Sequence, residues 1–73
     1  MTRLPTLTPK KLVAIFKKQG FEERRQKGSH LVLKHANGRR LVVPMHDRYL
    51  KRGTMMSIIN DAGLTEEEFL KLL

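Results

Sequence analysis

Two glycine-containing turns divide the middle of the chain into three short segments, and this division limits the fold more than any other feature. Lys27-Gly28 and Asn37-Gly38 separate the segments Phe21 to Gln26, Ser29 to His35 and Arg40 to Pro44. Short segments bounded by such turns are typical of β-hairpins, and Asn-Gly favours a two-residue turn. The pattern predicts three antiparallel strands in two hairpins.

A helical pattern precedes the strands. Thr8 can act as an N-cap with Pro9 at the first helical position, and Gly20 is typical of a helix end. The sequence therefore predicts a first helix over about residues 9–19.

Two helical patterns follow the strands. Apolar residues at helical spacing from Met55 to Ala62, with Thr54 as a possible N-cap, predict a second helix. Thr65 and Glu68 have the spacing of a capping box, which predicts a short third helix. We expect one α+β domain over residues 1–73: a helix, a three-stranded antiparallel sheet, a helix and a short C-terminal helix.

Length and cysteine content narrow the class of protein. A chain of 73 residues buries only about 60 % of its unfolded surface, so a thin core and marginal stability are expected. The absence of cysteine excludes disulfides, thiolate nucleophiles and cysteine zinc sites, and it favours a reducing compartment such as the cytoplasm. Lysine and proline interrupt the N-terminal apolar residues, so we expect neither a signal peptide nor a membrane span.

Positive charge is concentrated in the first two-thirds of the chain. Residues 1–52 contain 14 basic and 3 acidic residues, a net charge of +11, whereas residues 53–73 contain 1 basic and 4 acidic residues. Charge of this kind can simply maintain solubility, but it is more than solubility requires. The excess favours a polyanionic partner, of which nucleic acid is the commonest.

The predicted second hairpin has apolar residues on both sides. A two-residue Asn37-Gly38 turn pairs Leu33 with Val42 and Val32 with Val43. The helices can cover only one face, so the other is expected to be an apolar patch that binds a protein partner, unless a bulge shifts the register.

Several motifs occur in a characteristic order along residues 20–73. They are Gly20-Phe21, Gln26-Lys27-Gly28-Ser29-His30, Val43-Pro44-Met45-His46 and Leu50-Lys51-Arg52-Gly53-Thr54, followed by Ile58, Ile59, Ala62, Gly63, Leu64 and Phe69. With these motifs the chain resembles the HicA toxins of bacterial and archaeal toxin-antitoxin pairs. The resemblance implies a fold like the double-stranded RNA-binding domain. It also implies a ribonuclease that cleaves mRNA, has His30 as its essential histidine, and is neutralised by a HicB antitoxin.

Chemistry of this kind needs few protein groups. RNA supplies its own nucleophile, the 2′-hydroxyl, so one imidazole can transfer a proton without a metal or cofactor. Gly28 would let the backbone approach a phosphate, and Ser29 could hold a phosphate oxygen or orient the His30 ring. The candidate cations for stabilising the transition state are Arg25, Lys27, Lys34 and Arg39.

The start of the second helix is a separate candidate for phosphate binding. Lys51 and Arg52 precede Gly53-Thr54, where free backbone N–H groups favour an anion. The alternative is an ordinary cap with solvated charges. We expect His46 to hold the loop that leads into this helix, His35 to be solvated, and Tyr49 to pack against the loop.

Two other functions use the same basic surface. A non-catalytic double-stranded RNA-binding module would need no histidine. A DNA-binding domain is the third candidate, but no predicted helix has a convincing recognition face.

Overall fold

A computed structural model describes residues 4–73, and it has the predicted α+β order of elements. The elements are α1 (Pro9–Lys18), β1 (Phe21–Lys27), β2 (His30–His35), β3 (Arg40–Pro44), α2 (Arg52–Asp61) and α3 (Glu66–Leu70). The three strands form one antiparallel sheet in the order β1-β2-β3. Within the described part of the chain, no helix is long and apolar enough to cross a membrane.

Helix α1 begins as its sequence predicts. The Thr8 side chain accepts a hydrogen bond from the backbone N–H of Lys11 at 3.3 Å, and Pro9 occupies the first turn. Leu12 and Phe16, one turn apart, are fully buried. This apolar side of the helix packs on the sheet, mainly against β1 and β3.

The turn between β2 and β3 has three residues, so the predicted two-residue turn is wrong. The backbone N–H of Gly38 donates to the carbonyl of His35, and Gly38 has a φ of +94°. Leu33 consequently pairs with Leu41, and Val32 pairs with Val42. This shift of one residue changes which face each β3 side chain occupies.

One face of the sheet is packed under the helices, and we call it the inner face. Its central side chains are Leu31, Leu33, Leu41 and Val43, each no more than 4 % exposed. The other buried members of the same apolar cluster are Leu12, Val13, Ile15, Phe16, Phe21, Leu50, Met55, Ile58, Ile59, Ala62 and Phe69.

Helix α2 begins earlier than predicted. Arg52 is its first residue and Lys51 is its N-cap, without a side-chain cap, so Thr54 lies inside the helix. Its end matches the prediction, because the N–H of Leu64 donates to the carbonyl of Ile59 at 3.1 Å as the chain turns back.

Helix α3 confirms the predicted capping box. The Thr65 hydroxyl accepts from the N–H of Glu68, and the Glu68 carboxylate accepts from the N–H of Thr65. Hydrogen bonding to the carboxylate, first from the backbone N–H of Thr65 and then from its side chain, lowers the pKa of Glu68. The helix carries fully buried Phe69 onto the core.

Candidate functional site

The face of the sheet that no helix covers is cationic, and we call it the outer face. Only two of its central side chains are apolar, Val32 and Val42, and both are half-buried. The predicted apolar patch is therefore wrong, because the three-residue turn places Leu41 and Val43 on the inner face. Around the two valines lie Arg25, Lys27, His30, Lys34 and Arg40.

His30 is the first residue of β2 and is exposed. It follows a two-residue turn made by Gly28 and Ser29, in which Gly28 has a φ of +59°. A positive φ at the first turn position favours glycine and is typical of tight hairpins. The Gln26 side-chain amide donates to the carbonyl of Gly28 at 3.2 Å, and the Ser29 carbonyl accepts from the N–H of Met45. The turn before His30 is thus hydrogen-bonded to β1 on one side and to the residue that follows β3 on the other.

A bulge in β1 determines which cations lie beside His30. The pairing register shifts between Glu23 and Arg25, which leaves Arg24 as an extra residue. After the shift, Arg25 pairs with Val32 and Lys27 pairs with His30. Since alternate strand residues point to opposite faces, regular pairing without the bulge would place Arg24 opposite Val32 and turn Arg25 and Lys27 to the inner face.

His30 lies in an open depression on the outer face, which we call the histidine depression. It is lined by Arg25, Lys27, Gly28, His30, Val32, Arg40 and Val42. A second depression adjoins it and shares three of these residues; it is lined by Arg24, Arg25, Val32, Lys34 and Arg40. No carboxylate lines either of them.

The cations of the outer face are close to one another, and the acidic residue nearest to them in the sheet register is Glu22, the β1 partner of Lys34. Lys34 and Arg40 pair directly across β2 and β3. Like charges in such a pair are destabilising. The two ion pairs within residues 4–73 join Lys17 to Glu23 and Arg52 to Glu66, so neither neutralises this cluster. An anion bound between these side chains would relieve their repulsion.

Arg40 is the main residue that sequence reasoning missed, and Arg39 occupies a different place. The Arg39 guanidinium donates to the carbonyl of Asp61 at 3.4 Å. It also lies against Gly63, where an added Cβ would be 2.5 Å from the Cζ of Arg39. Arg39 therefore contacts the end of α2, on the inner side. If the turn is taken to have three residues, the alternation of side chains along β3 places Arg40, not Arg39, on the outer face with His30.

The other predicted phosphate ligands lie apart from the histidine depression. Lys51 and Arg52 are at the start of α2. The Arg52 guanidinium donates to Oε1 of Glu66 at 3.0 Å, which connects α2 to α3. Lys51 is exposed and lines a separate depression between β3 and α2.

The remaining histidines hold loops. Nδ1 of His46 accepts the N–H of Arg48 at 3.2 Å, which confirms its predicted role before α2. The expected solvation of His35 is wrong, because Nδ1 accepts from the N–H of Asn37 and Nε2 contacts the carbonyl of Gln19, each at 3.0 Å. In the described residues, no three His, Asp or Glu side chains lie close enough together to hold a metal ion.

The expected packing of Tyr49 is also wrong. Its side chain is 64 % exposed and lies at the depression that Lys51 lines.

Comparison with protein families identifies a match that covers most of the chain. The model of a family described as the HicA toxin of bacterial toxin-antitoxin systems matches residues 9–64, which is more than three-quarters of the chain. The matched region runs from α1 to the end of α2 and includes every residue of the histidine depression. No curated protein matches the chain significantly.

Proposed function

Because the chain belongs to the HicA toxin family of bacterial toxin-antitoxin systems, we propose that it is an endoribonuclease that cleaves mRNA with His30 as a general acid or base. The observation that carries the proposal is the position of His30. It is an exposed imidazole that follows a tight turn and shares its depression with Arg25, Lys27 and Arg40.

The proposed reaction uses the nucleophile of the RNA itself. The 2′-oxygen attacks the adjacent phosphorus as its proton leaves, and the bond from phosphorus to the 5′-oxygen breaks as that oxygen gains a proton. The products are a 2′,3′-cyclic phosphate and a 5′-hydroxyl. His30 makes one of the two proton transfers, which is work that an imidazole can do near neutral pH. No step requires a metal ion or an organic cofactor.

The cations beside His30 support the charge that develops on the phosphate. The imidazole shares its depression with three cations, Arg25, Lys27 and Arg40. A phosphate that contacts His30 therefore lies close to these cations. Lys34 extends the cationic surface along β2 for the neighbouring phosphates.

The Gly28-Ser29 turn supports a close approach of the RNA backbone. A Cβ on Gly28 would meet no atom within 4 Å, so this side of the turn is open. The Ser29 hydroxyl is the proposed contact to a phosphate oxygen. We do not include Arg39 or Arg52 in the RNA surface, since each already binds an oxygen of the protein.

A HicB-type antitoxin is the proposed protein partner, and it would act by covering the outer face. A partner that opposes the four exposed cations Arg25, Lys27, Lys34 and Arg40 needs an acidic surface to be complementary. In a toxin-antitoxin complex we expect His30 to be inaccessible; a complex with His30 open to solvent would contradict inhibition by occlusion.

A non-catalytic double-stranded RNA-binding module is the alternative, because the cationic outer face would serve it equally well. The two functions differ in their need for His30. His30→Ala should abolish cleavage and growth arrest, yet leave the affinity for a 2′-O-methyl RNA and its salt dependence nearly unchanged. Cleavage that persists in this variant would contradict the assignment.

The nucleophile and the metal dependence are tested in one digestion. Purified protein is incubated with RNA in the presence and absence of EDTA, and the ends of the products are analysed. We expect equal cleavage in EDTA and 2′,3′-cyclic phosphate ends. A 5′-phosphate product, or loss of cleavage in EDTA that added Mg²⁺ restores, would replace this mechanism with a metal-dependent one.

A further inference from the structure

Tyr49 is an exposed aromatic residue whose neighbours on both sides in the chain are hydrogen-bonded. The segment 45–51 links β3 to α2, and the Tyr49 side chain is 64 % exposed within it. On one side, the N–H of Arg48 bonds to the His46 ring at 3.2 Å. On the other, Leu50 is buried and its N–H donates to the carbonyl of Leu7 at 2.8 Å. The ring is therefore held outward by contacts of its neighbours.

The surroundings of Tyr49 combine an aromatic ring with cations. The depression at this ring, which we call the tyrosine depression, is lined by Pro44, His46, Arg48, Tyr49, Leu50, Lys51 and Thr54. Arg48 and Lys51 supply positive charge, and no carboxylate lines the depression. An exposed aromatic ring beside cations is the combination that proteins use for single-stranded nucleic acid, in which the base stacks and the phosphate pairs with the cation.

The tyrosine depression and the histidine depression are linked through one cross-strand pair of residues. Pro44 lines the first, His30 lines the second, and these two residues are cross-strand partners in β2 and β3. A strand whose phosphate lies at His30 can therefore continue past Pro44 to Tyr49. A base-paired duplex cannot do this, because its bases are stacked on one another.

We propose that the tyrosine depression binds one unpaired nucleotide next to the cleaved phosphate, with its base stacked on Tyr49 and its phosphate near Lys51. This inference rests on the proposed function and adds to it a binding site for one unpaired nucleotide of the RNA. Stacking is tolerant of sequence because every base has a π-face.

The composition of the chain provides a direct signal for this contact. Tyr49 is the sole tyrosine and the chain has no tryptophan, so tyrosine emission reports this residue alone. The probe is a short 2′-O-methyl RNA, which cannot be cleaved because its 2′-oxygen is blocked. We expect this strand to quench the emission, whereas a strand of equal length and charge built from abasic units should bind without quenching. Equal quenching by the abasic strand would overturn the proposal.

Substitutions test the same contact by affinity. Tyr49→Ala should weaken binding of the 2′-O-methyl strand by roughly 5-fold to 150-fold, the usual worth of one base-aromatic stack. Tyr49→Phe retains the ring and should bind like the unchanged protein. Leu73→Ala is the matched control, because among residues 4–73 Leu73 is a second large apolar side chain that is well exposed, at 55 %. If Tyr49→Ala binds the 2′-O-methyl strand with unchanged affinity, the proposal is overturned. This holds even if the variant binds the antitoxin more weakly.

The test separates this inference from the proposed function. If the protein binds the strand through Tyr49 but cleaves no RNA, ribonuclease activity fails and the nucleotide site stands. If the protein cleaves RNA and Tyr49→Ala binds and cleaves normally, ribonuclease activity stands and the nucleotide site fails. A duplex RNA that binds as tightly as the single strand and quenches equally would also overturn the proposal, because the nucleotide at Tyr49 would then not need to be unpaired.

Discussion

The two faces of the sheet are built from the same strands and have opposite characters. On β2, Leu31 and Leu33 are buried under the helices, whereas His30 and Lys34 alternate with them on the open side. On β3, the inner Leu41 and the outer Arg40 are adjacent in sequence. Stability and the proposed chemistry are thus assigned to alternate residues of one sheet, so substitutions can change either face with little effect on the other.

The largest effect is expected from a substitution on the inner face. Leu33→Ala removes a fully buried side chain and should lower the free energy of unfolding by about 2–5 kcal/mol. A small domain has only about 5–15 kcal/mol in total, so much of the variant should be unfolded on mild heating. Urea titration followed by circular dichroism measures the loss.

Val32→Ala is the control for this prediction, since Val32 is the half-buried neighbour on the outer face. Its loss should be about 1 kcal/mol or less. Equal losses in the two variants would mean that the faces do not differ in packing.

The second prediction compares two adjacent arginines on opposite faces. Arg40→Ala should slow RNA cleavage about tenfold to a hundredfold, somewhat less than the loss of an enclosed donor, because Arg40 is exposed. Its melting temperature should stay the same or rise, since the variant removes the like-charge pair with Lys34. Single-turnover cleavage and thermal melting measure the two effects.

Arg39→Ala is the matched control. It removes the same charge but also the contact with the Asp61 carbonyl and Gly63, so it should lower stability by about 1 kcal/mol and leave single-turnover cleavage unchanged. If both variants slow cleavage equally, total charge rather than the outer face is responsible.

The third prediction concerns the turn that assigns residues to faces. Gly38→Ala places a Cβ at a φ of +94° and should cost about 1–2 kcal/mol of stability. Unfolding in urea measures the cost. Gly53→Ala is the control, because Gly53 lies in α2 with open space around its Cα, and alanine there should be neutral or stabilising. A neutral Gly38→Ala would contradict the three-residue turn.

The smallest expected effect is a loss of folding stability at acidic pH, and it comes from a carboxyl group in the helices rather than in the sheet. Hydrogen bonds from Thr65 lower the pKa of Glu68 in the folded protein. The ionised Glu68 carboxylate therefore contributes its full stabilisation above its pKa in the unfolded chain, about 4.3. This contribution is lost as the pH falls through the lower pKa of the folded protein. Melting temperatures between neutral and strongly acidic pH should fall less steeply in Glu68→Ala than in the unchanged protein. Parallel curves would show that the capping box contributes nothing to the acid response.

Features decided by near neighbours in the chain could be predicted from the sequence. The Thr8 cap and the capping box of Thr65 and Glu68 depend on residues three apart, and both are present as predicted. Such features need no knowledge of distant packing. The turn before His30 was predicted one residue too early, at Lys27-Gly28, because Lys27 is the last residue of β1 and the turn is Gly28-Ser29.

The assignment of residues to faces could not be predicted from such local patterns. Asn37-Gly38 fits a two-residue turn as well as the end of a three-residue turn, and the difference of one residue exchanges the faces of Arg39 and Arg40. The start of α2 failed similarly: Thr54 is a good N-cap by type, but the helix begins at Arg52. The exposure of Tyr49 follows from the burial of Leu50, which the local sequence does not reveal.

The bulge at Arg24 also affects how copies of the protein meet. Strand β1 is an edge of the sheet, and its outer side offers unpaired backbone groups to any other strand. Six of its seven residues are exposed, and most are charged. An irregular, highly charged edge is a poor template for adding a further strand. The residue that turns Arg25 and Lys27 towards His30 therefore also protects this small protein against edge-to-edge aggregation.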